Sequence, residues 1–140
     1  NNIGSVFRTS DAFLVKEIIL CGITATPPNT EIHKTALGAE ESVEWRYFED
    51  TINALNTLRA EGYIIYSIEQ TENSLNLESL QLDKHKKYAI ILGHEVHGVL
   101  QEAINLSDGC IEIPQYGTKH SLNVSVTAGI VIWDFFKQLH

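Results

Sequence analysis

The chain has 140 residues, 44% of them apolar and 20% charged, a composition that supports one hydrophobic core and excludes both a disordered chain and two independent domains. Ten Lys and Arg against 18 Asp and Glu leave a net charge of −8, so no global basic field gathers phosphates and composition by itself argues against nucleic-acid binding. Methionine is absent, even at position 1, which sets the expectation that an upstream segment is missing. Cys21 and Cys110 are too few for a disulfide framework and lack metal-ligand spacing, so buried thiols and a cytoplasmic location are expected. No apolar run reaches the ~20 residues of a membrane span.

In chain order, residues 2–13 fit a short helix with Ile3, Val6 and Phe7 available for packing. Glu17 to Gly22 reads as a strand, and Pro27 and Pro28 mark a turn after it. Val43 to Phe48 is a second strand. In Asp50 to Glu61, Ile52, Leu55 and Leu58 repeat at helical spacing and Gly62 supplies the stop. Tyr63 to Ile68 is a strand, Asn73 to Asp83 a loop with one helical turn, and Tyr88 to Gly93 another strand. Val99 to Leu106 fits a helix, Cys110 to Pro114 a strand, and Val124 to Leu139 an apolar helix. This alternation predicts an α/β fold, a mostly parallel sheet with helices on both faces.

Ligands of such sheets bind at the carboxyl ends of the strands, and two of three unusual segments begin there. Residues 91–98, Ile-Leu-Gly-His-Glu-Val-His-Gly, bracket Glu95 between Gly93 and Gly98, glycines that allow close backbone approach. A glycine-bounded turn with a solvated glutamate is the plain alternative. His94 and His97 are three apart beside a strand end, not four apart on a helix, so a zinc motif is rejected. Residues 113–126, Ile-Pro-Gln-Tyr-Gly-Thr-Lys-His-Ser-Leu-Asn-Val-Ser-Val, carry Gly117 for a loop reversal and then Ser121 and Asn123, either of which makes a good helix N-cap. Capping alone accounts for neither Leu122 between them nor so long a loop. The third segment, residues 2–13, carries Asn2 and Arg8. Arg8 suits a phosphate or carboxylate, or an ordinary surface pair with Asp11 at i+3.

Taken in order, these segments closely resemble motifs 1, 2 and 3 of the SpoU (TrmH-like) RNA 2′-O-ribose methyltransferases. Residues 35–39 and 42–43 resemble the family's linking region, so the likeness covers essentially the whole chain. The resemblance implies an α/β SPOUT fold with a C-terminal deep trefoil knot, a feature periodicity cannot reveal. It also implies S-adenosylmethionine as cofactor, tRNA or rRNA as substrate and a homodimer, with no metal and no membrane. By motif position it assigns Asn2, Arg8, Glu95, Ser121 and Asn123 to catalysis, and Leu92, Gly93, Ile113 and Leu122 to the cofactor. Leu14 departs from the family's glycine at that position, and the strand that normally precedes motif 1 is absent, so residues 1–140 are expected to be a catalytic domain lacking its first strand.

The family assigns the motif 1 arginine a proton-accepting role. An arginine is effectively always protonated, so Arg8 is expected instead to orient the ribose and a neighbouring phosphate. The alternative is a non-catalytic RNA-binding or assembly module on the same fold. A small nucleotide-binding protein is disfavoured, because neither GxxxxGK[ST] nor GxGxxG occurs. The acidic net charge requires local basic groups for RNA. Lys84, His85, Lys86 and Lys87 form one basic stretch, a solvated loop being the plain alternative, and Arg8, Arg46 and Lys119 are scattered near or between the motifs.

Overall fold

The computed structural model describes residues 2–94, 97–118 and 122–140. Helix α1 (Asn2–Ala12) buries Phe7 in a cluster with Leu20, Ile32, Ala36, Ala39 and Val43. Ile3, Phe7 and Ser10 recur at helical spacing on this inner side, which leaves Arg8 and Asp11 exposed. Leu14 follows with a φ of 56°, a left-handed conformation that favours glycine. That explains why the family pattern has glycine at this position.

Strand β1 (Glu17–Cys21) leads to two helices that the sequence reading left as a turn and a linking stretch. They are α2 (Thr30–Ala36) and α3 (Ala39–Ser42). Asn29 starts α2, its Oδ1 accepting from the backbone N of Glu31 at 2.9 Å and of Ile32 at 3.1 Å. Gly4 lies directly against this helix: a Cβ there would overlap the Ile32 carbonyl oxygen and Thr35 Oγ1. Strand β2 (Glu44–Phe48) pairs with β1 in parallel. Helix α4 (Thr51–Ala60) is capped by Asp50 and stops before Gly62, whose φ of 94° suits the expected glycine terminator.

Strands β3 (Tyr63–Ile68), β4 (Leu75–Asn76), β5 (Lys87–Ile91) and β6 (Gly109–Glu112) form a second sheet in the order β4-β6-β3-β5, all parallel. One 3-10 turn, Leu77–Ser79, supplies the helical turn expected in the 73–83 loop. Helices α5 (Gln101–Leu106) and α6 (Val124–Leu139) complete the chain.

The α/β class and the parallel strands match expectation, but the strands make two sheets rather than one. Among the described residues β1 pairs only with β2, and β5 only with β3, so each keeps one open edge. The sheets still share a core, because Ile19 of β1 and Ile91 of β5 both pack against the cluster of Leu55, Leu58, Ile65 and Val99. Alternation along β3 divides the packing: Ile65 faces α4 and α5, whereas Tyr66 and Ile68 face Ile111, Val131 and Phe135. Helices therefore cover both faces of the larger sheet.

Candidate active site at the carboxyl ends of β5 and β6

β5 and β6 flank β3 in parallel and end at the same sheet edge. After β5 the chain turns to α5 on the Ile65 face; after β6 it turns to α6 on the opposite face. In sheets of this kind, loops that diverge to opposite faces are where a ligand crevice is expected. Leu92 and Gly93 follow one strand and Ile113 and Pro114 the other, so two of the three motif segments meet at the end of β3.

The β5 loop has a closed neck. His94 N donates to Gly98 O at 3.0 Å and Gly98 N donates to His94 O at 2.8 Å. A Cβ on Gly93 would overlap the Gly98 and Val99 backbone. The glycine is thus required by the neck itself, where the sequence reading invoked a ligand. His94 and His97 stack with ring centroids 4.9 Å apart on a turn closed by an antiparallel bridge, so the helical histidine pair of a zinc motif is not formed. Among the described residues no cluster of three His, Cys, Asp or Glu could hold a metal. Glu95 belongs to this loop and lies outside the described residues.

Glu69, which the sequence reading passed over, holds the neck from outside. It follows β3 directly, and its Oε2 accepts from Val99 N at 3.0 Å. A lone acid at the end of an apolar strand is the only signal that could have singled it out.

On the other wall, Ile113 is half-buried and Leu122 is exposed. Asn123 caps α6, its Oδ1 accepting from Ser125 N at 2.8 Å and from Ser125 Oγ at 2.6 Å. The capping alternative is therefore formed at Asn123. Tyr116 stands out in solvent with its hydroxyl donating to Glu78 Oε1 at 2.9 Å. Gly117 does not take a left-handed φ, so the chain reversal there does not depend on glycine. Ser121 and Lys119 lie outside the described residues, as does the side chain of Asn2, which opens α1.

Helix α1, which carries Arg8, packs on α6, with Phe13 against Trp133 at 5.3 Å between ring centroids. The alternative for Arg8, a surface pair with Asp11, is not formed among the described residues. Of the three arginines, Arg46 is held by Glu17 at 2.7 Å and Glu61 at 3.0 Å, and Arg59 by Asp108 at 3.3 Å. Arg8 alone forms no ion pair among the described residues. Both edges of the Arg46 guanidinium, one of the basic groups named near or between the motifs, are taken by Glu17 and Glu61. Lys87 sits over the Tyr63 ring at 4.6 Å at the start of β5, so the 84–87 stretch lies at the amino end of the sheet, with the length of β5, about 13 Å, between it and the loop that carries Gly93. Burial pushes the Cys21 thiol up, partly offset by a hydrogen bond from Thr51, which makes it a poor nucleophile.

Comparison with known proteins agrees with this geometry. The profile of the SpoU rRNA Methylase family matches residues 1–133. A tRNA (guanosine(18)-2′-O)-methyltransferase of Thermus thermophilus is 31% identical over 138 residues, covering 99% of this chain and 69% of the relative. The solved A. aeolicus TrmH/SpoU tRNA modifying enzyme superposes with a TM-score of 0.84 at 26% identity, over 98% of this chain and 68% of that one. The AdoMet-bound rRNA methyltransferase of Sinorhizobium meliloti superposes with a TM-score of 0.89 at 25% identity, over 99% of this chain and 52% of that one. With motifs, fold and profile in agreement over nearly its whole length, the chain belongs to the SpoU rRNA Methylase family.

Proposed function

We propose that the chain is the catalytic domain of an S-adenosylmethionine-dependent methyltransferase that modifies the ribose 2′-hydroxyl of a tRNA or rRNA. The observation that carries this reading is Arg8: it is the arginine left without an acid partner among the described residues, on a helix whose other side is buried. Named relatives act as tRNA 2′-O-methyltransferases, and a solved neighbour binds AdoMet.

The crevice walls fit the cofactor chemically. Leu92, Ile113 and the exposed Leu122 offer apolar surface to a flat adenine, and the backbone of the two loops offers the polar edge that fixes its orientation. When bound, S-adenosylmethionine supplies a methyl group on a sulfonium. The chain's own contribution is alignment: Arg8 holds the ribose and an adjacent phosphate, and its fixed positive charge favours the charge that develops on the 2′-oxygen. Asn2, Glu95 and Ser121 position substrate and loops, and Asn123 fixes the start of α6.

Three structural properties go with this reading. The chain is one catalytic domain whose C-terminal segment is threaded into a trefoil knot, as family membership implies. A further strand seats between the open edges of β1 and β5, where Ile19 and Ile91 already share a core. Two copies pair through α6, whose Val126, Ile130 and Trp133 form an exposed apolar stripe. We place the protein in the cytoplasm with its RNA. Among the described residues no helix is long and apolar enough to cross a membrane.

Titration calorimetry with S-adenosylmethionine, followed by tritium transfer onto bulk tRNA and rRNA, tests the reading. Cofactor binding and label in a 2′-O-methyl nucleoside are expected; no binding at millimolar cofactor would sink it. Arg8→Ala should bind cofactor as the wild type does and lose at least about 100-fold in methyl transfer. An active Arg8→Ala removes Arg8 from the chemistry.

A further inference from the structure

Glu69 stands where the two walls of the crevice meet. It is the first residue after β3, the strand between β5 and β6. Its backbone N donates to Ile111 O of β6 at 3.1 Å, which ties it to the wall formed by the β6 loop. Its side chain reaches the other wall: Oε2 accepts from Val99 N at 3.0 Å, and Oε1 accepts from Gln70 N at 3.3 Å. The fit is close, because a Cβ on Gly98 would overlap Oε2. Gly98 has a φ of 68° and closes the loop by its paired bonds to His94. Gly93, Gly98 and the Glu69 carboxylate therefore form three stacked layers. Among the described residues Glu69 forms no ion pair, so its carboxylate is free to serve as an acceptor for backbone N–H.

We propose that Glu69 is a positioning residue that clamps the neck of the 93–98 loop and so sets the shape of the cofactor crevice; the proposal rests on the methyltransferase reading for the identity of the ligand. The bond needs an acceptor oxygen at the end of a side chain of this length, not a charge as such. Glutamine supplies that oxygen. Alanine does not, and aspartate is one methylene short.

The test uses the full chain with two readouts. In amide hydrogen exchange without ligand, Glu69→Ala should raise exchange at His94, Gly98 and Val99 by about tenfold or more, with Glu69→Gln close to wild type. In calorimetry, Glu69→Ala should weaken S-adenosylmethionine binding by about tenfold, with Glu69→Gln again restoring it. Ile65→Val, a core change in the same strand, controls for general destabilisation and should leave cofactor affinity unchanged. Unchanged exchange at the neck in Glu69→Ala overturns the clamp. Loosened exchange with unchanged cofactor affinity overturns its role in the crevice. A wild type that fails to bind cofactor refutes the methyltransferase reading instead, and the exchange measurement still decides the clamp.

Discussion

Single side chains show where charge is spent. Arg46 donates from Nε and Nη2 to Glu17 at 2.7 and 2.8 Å and from Nη1 and Nη2 to Glu61 at 3.0 Å, which joins β1, β2 and the end of α4. The hydrogen bonds from Arg46 hold the Glu61 carboxyl below its ordinary value, against a smaller opposing effect of desolvation. A carboxyl lowered in the folded state stabilises the fold above its unfolded value, and that contribution disappears as pH falls through the folded value. Arg46→Met keeps most of the stem and removes the bonds. It should lower Tm at neutral pH by about 3 °C, and the gap to wild type should narrow as pH falls from the ordinary glutamate value of about 4.3 towards the lower folded one. A gap unchanged in acid would assign the loss to the guanidinium's contact with the Phe48 ring, 5.7 Å from its centroid. The sequence did not distinguish Arg46 from Arg8, because both stand beside apolar residues and only the tertiary fold brings Glu17 and Glu61 to one of them. Glu69 was hidden for the same reason: its partner is a backbone N–H thirty residues away.

Among the elements, those legible in the sequence were the ones whose pattern ran their full length. β3 and α6 have the predicted bounds, and α4 differs by a residue at each end. The seven residues of α2 and four of α3 are too short to complete an apolar period, and their stability comes from the Asn29 cap and from packing under α1. β4 is two residues long and exists only as a partner for β6. Gly4 shows how closely α1 and α2 are fitted. By helix propensity alone, Gly4→Ala would stabilise α1 by about 1 kcal/mol. The added methyl would meet the Ile32 carbonyl, which is fixed in the hydrogen-bonded backbone of α2, so the helices must separate and the cluster around Phe7 and Ile32 opens. Overpacking of this kind costs about 1–3 kcal/mol, enough to reverse the sign. Thermal unfolding of Gly4→Ala should therefore show a net loss of up to about 2 kcal/mol; a gain would mean that α1 is free to move away from α2.

For the whole molecule, the net charge of −8 and the surface of α6 pull in opposite directions. Charge of one sign keeps copies apart, yet Val126, Ile130 and Trp133 expose 49%, 37% and 48% of their surface at helical spacing, opposite the buried Ala128, Val131 and Phe135. Leu14 adds to this surface, exposed at 67% beside Phe13, whose ring packs on Trp133. An apolar stripe on one helix suits a two-fold axis, because the same residues then cover each other in both copies. A second copy would also bring a second Arg8 to the assembly, which compensates for lysines placed at the far end of the sheet and for an arginine held by Glu17 and Glu61. The wild type should sediment at twice the chain mass of 15.7 kDa at micromolar concentration. Ile130→Glu should sediment as a monomer with secondary structure intact, since the side chain is partly exposed in the single copy and the charge is costly only when it is covered. The variant should keep cofactor binding within about threefold if the crevice is built by one copy alone, and lose it if the second copy completes the crevice. A wild type that sediments as a monomer at all concentrations, or an Ile130→Glu variant that stays dimeric, moves the interface away from α6.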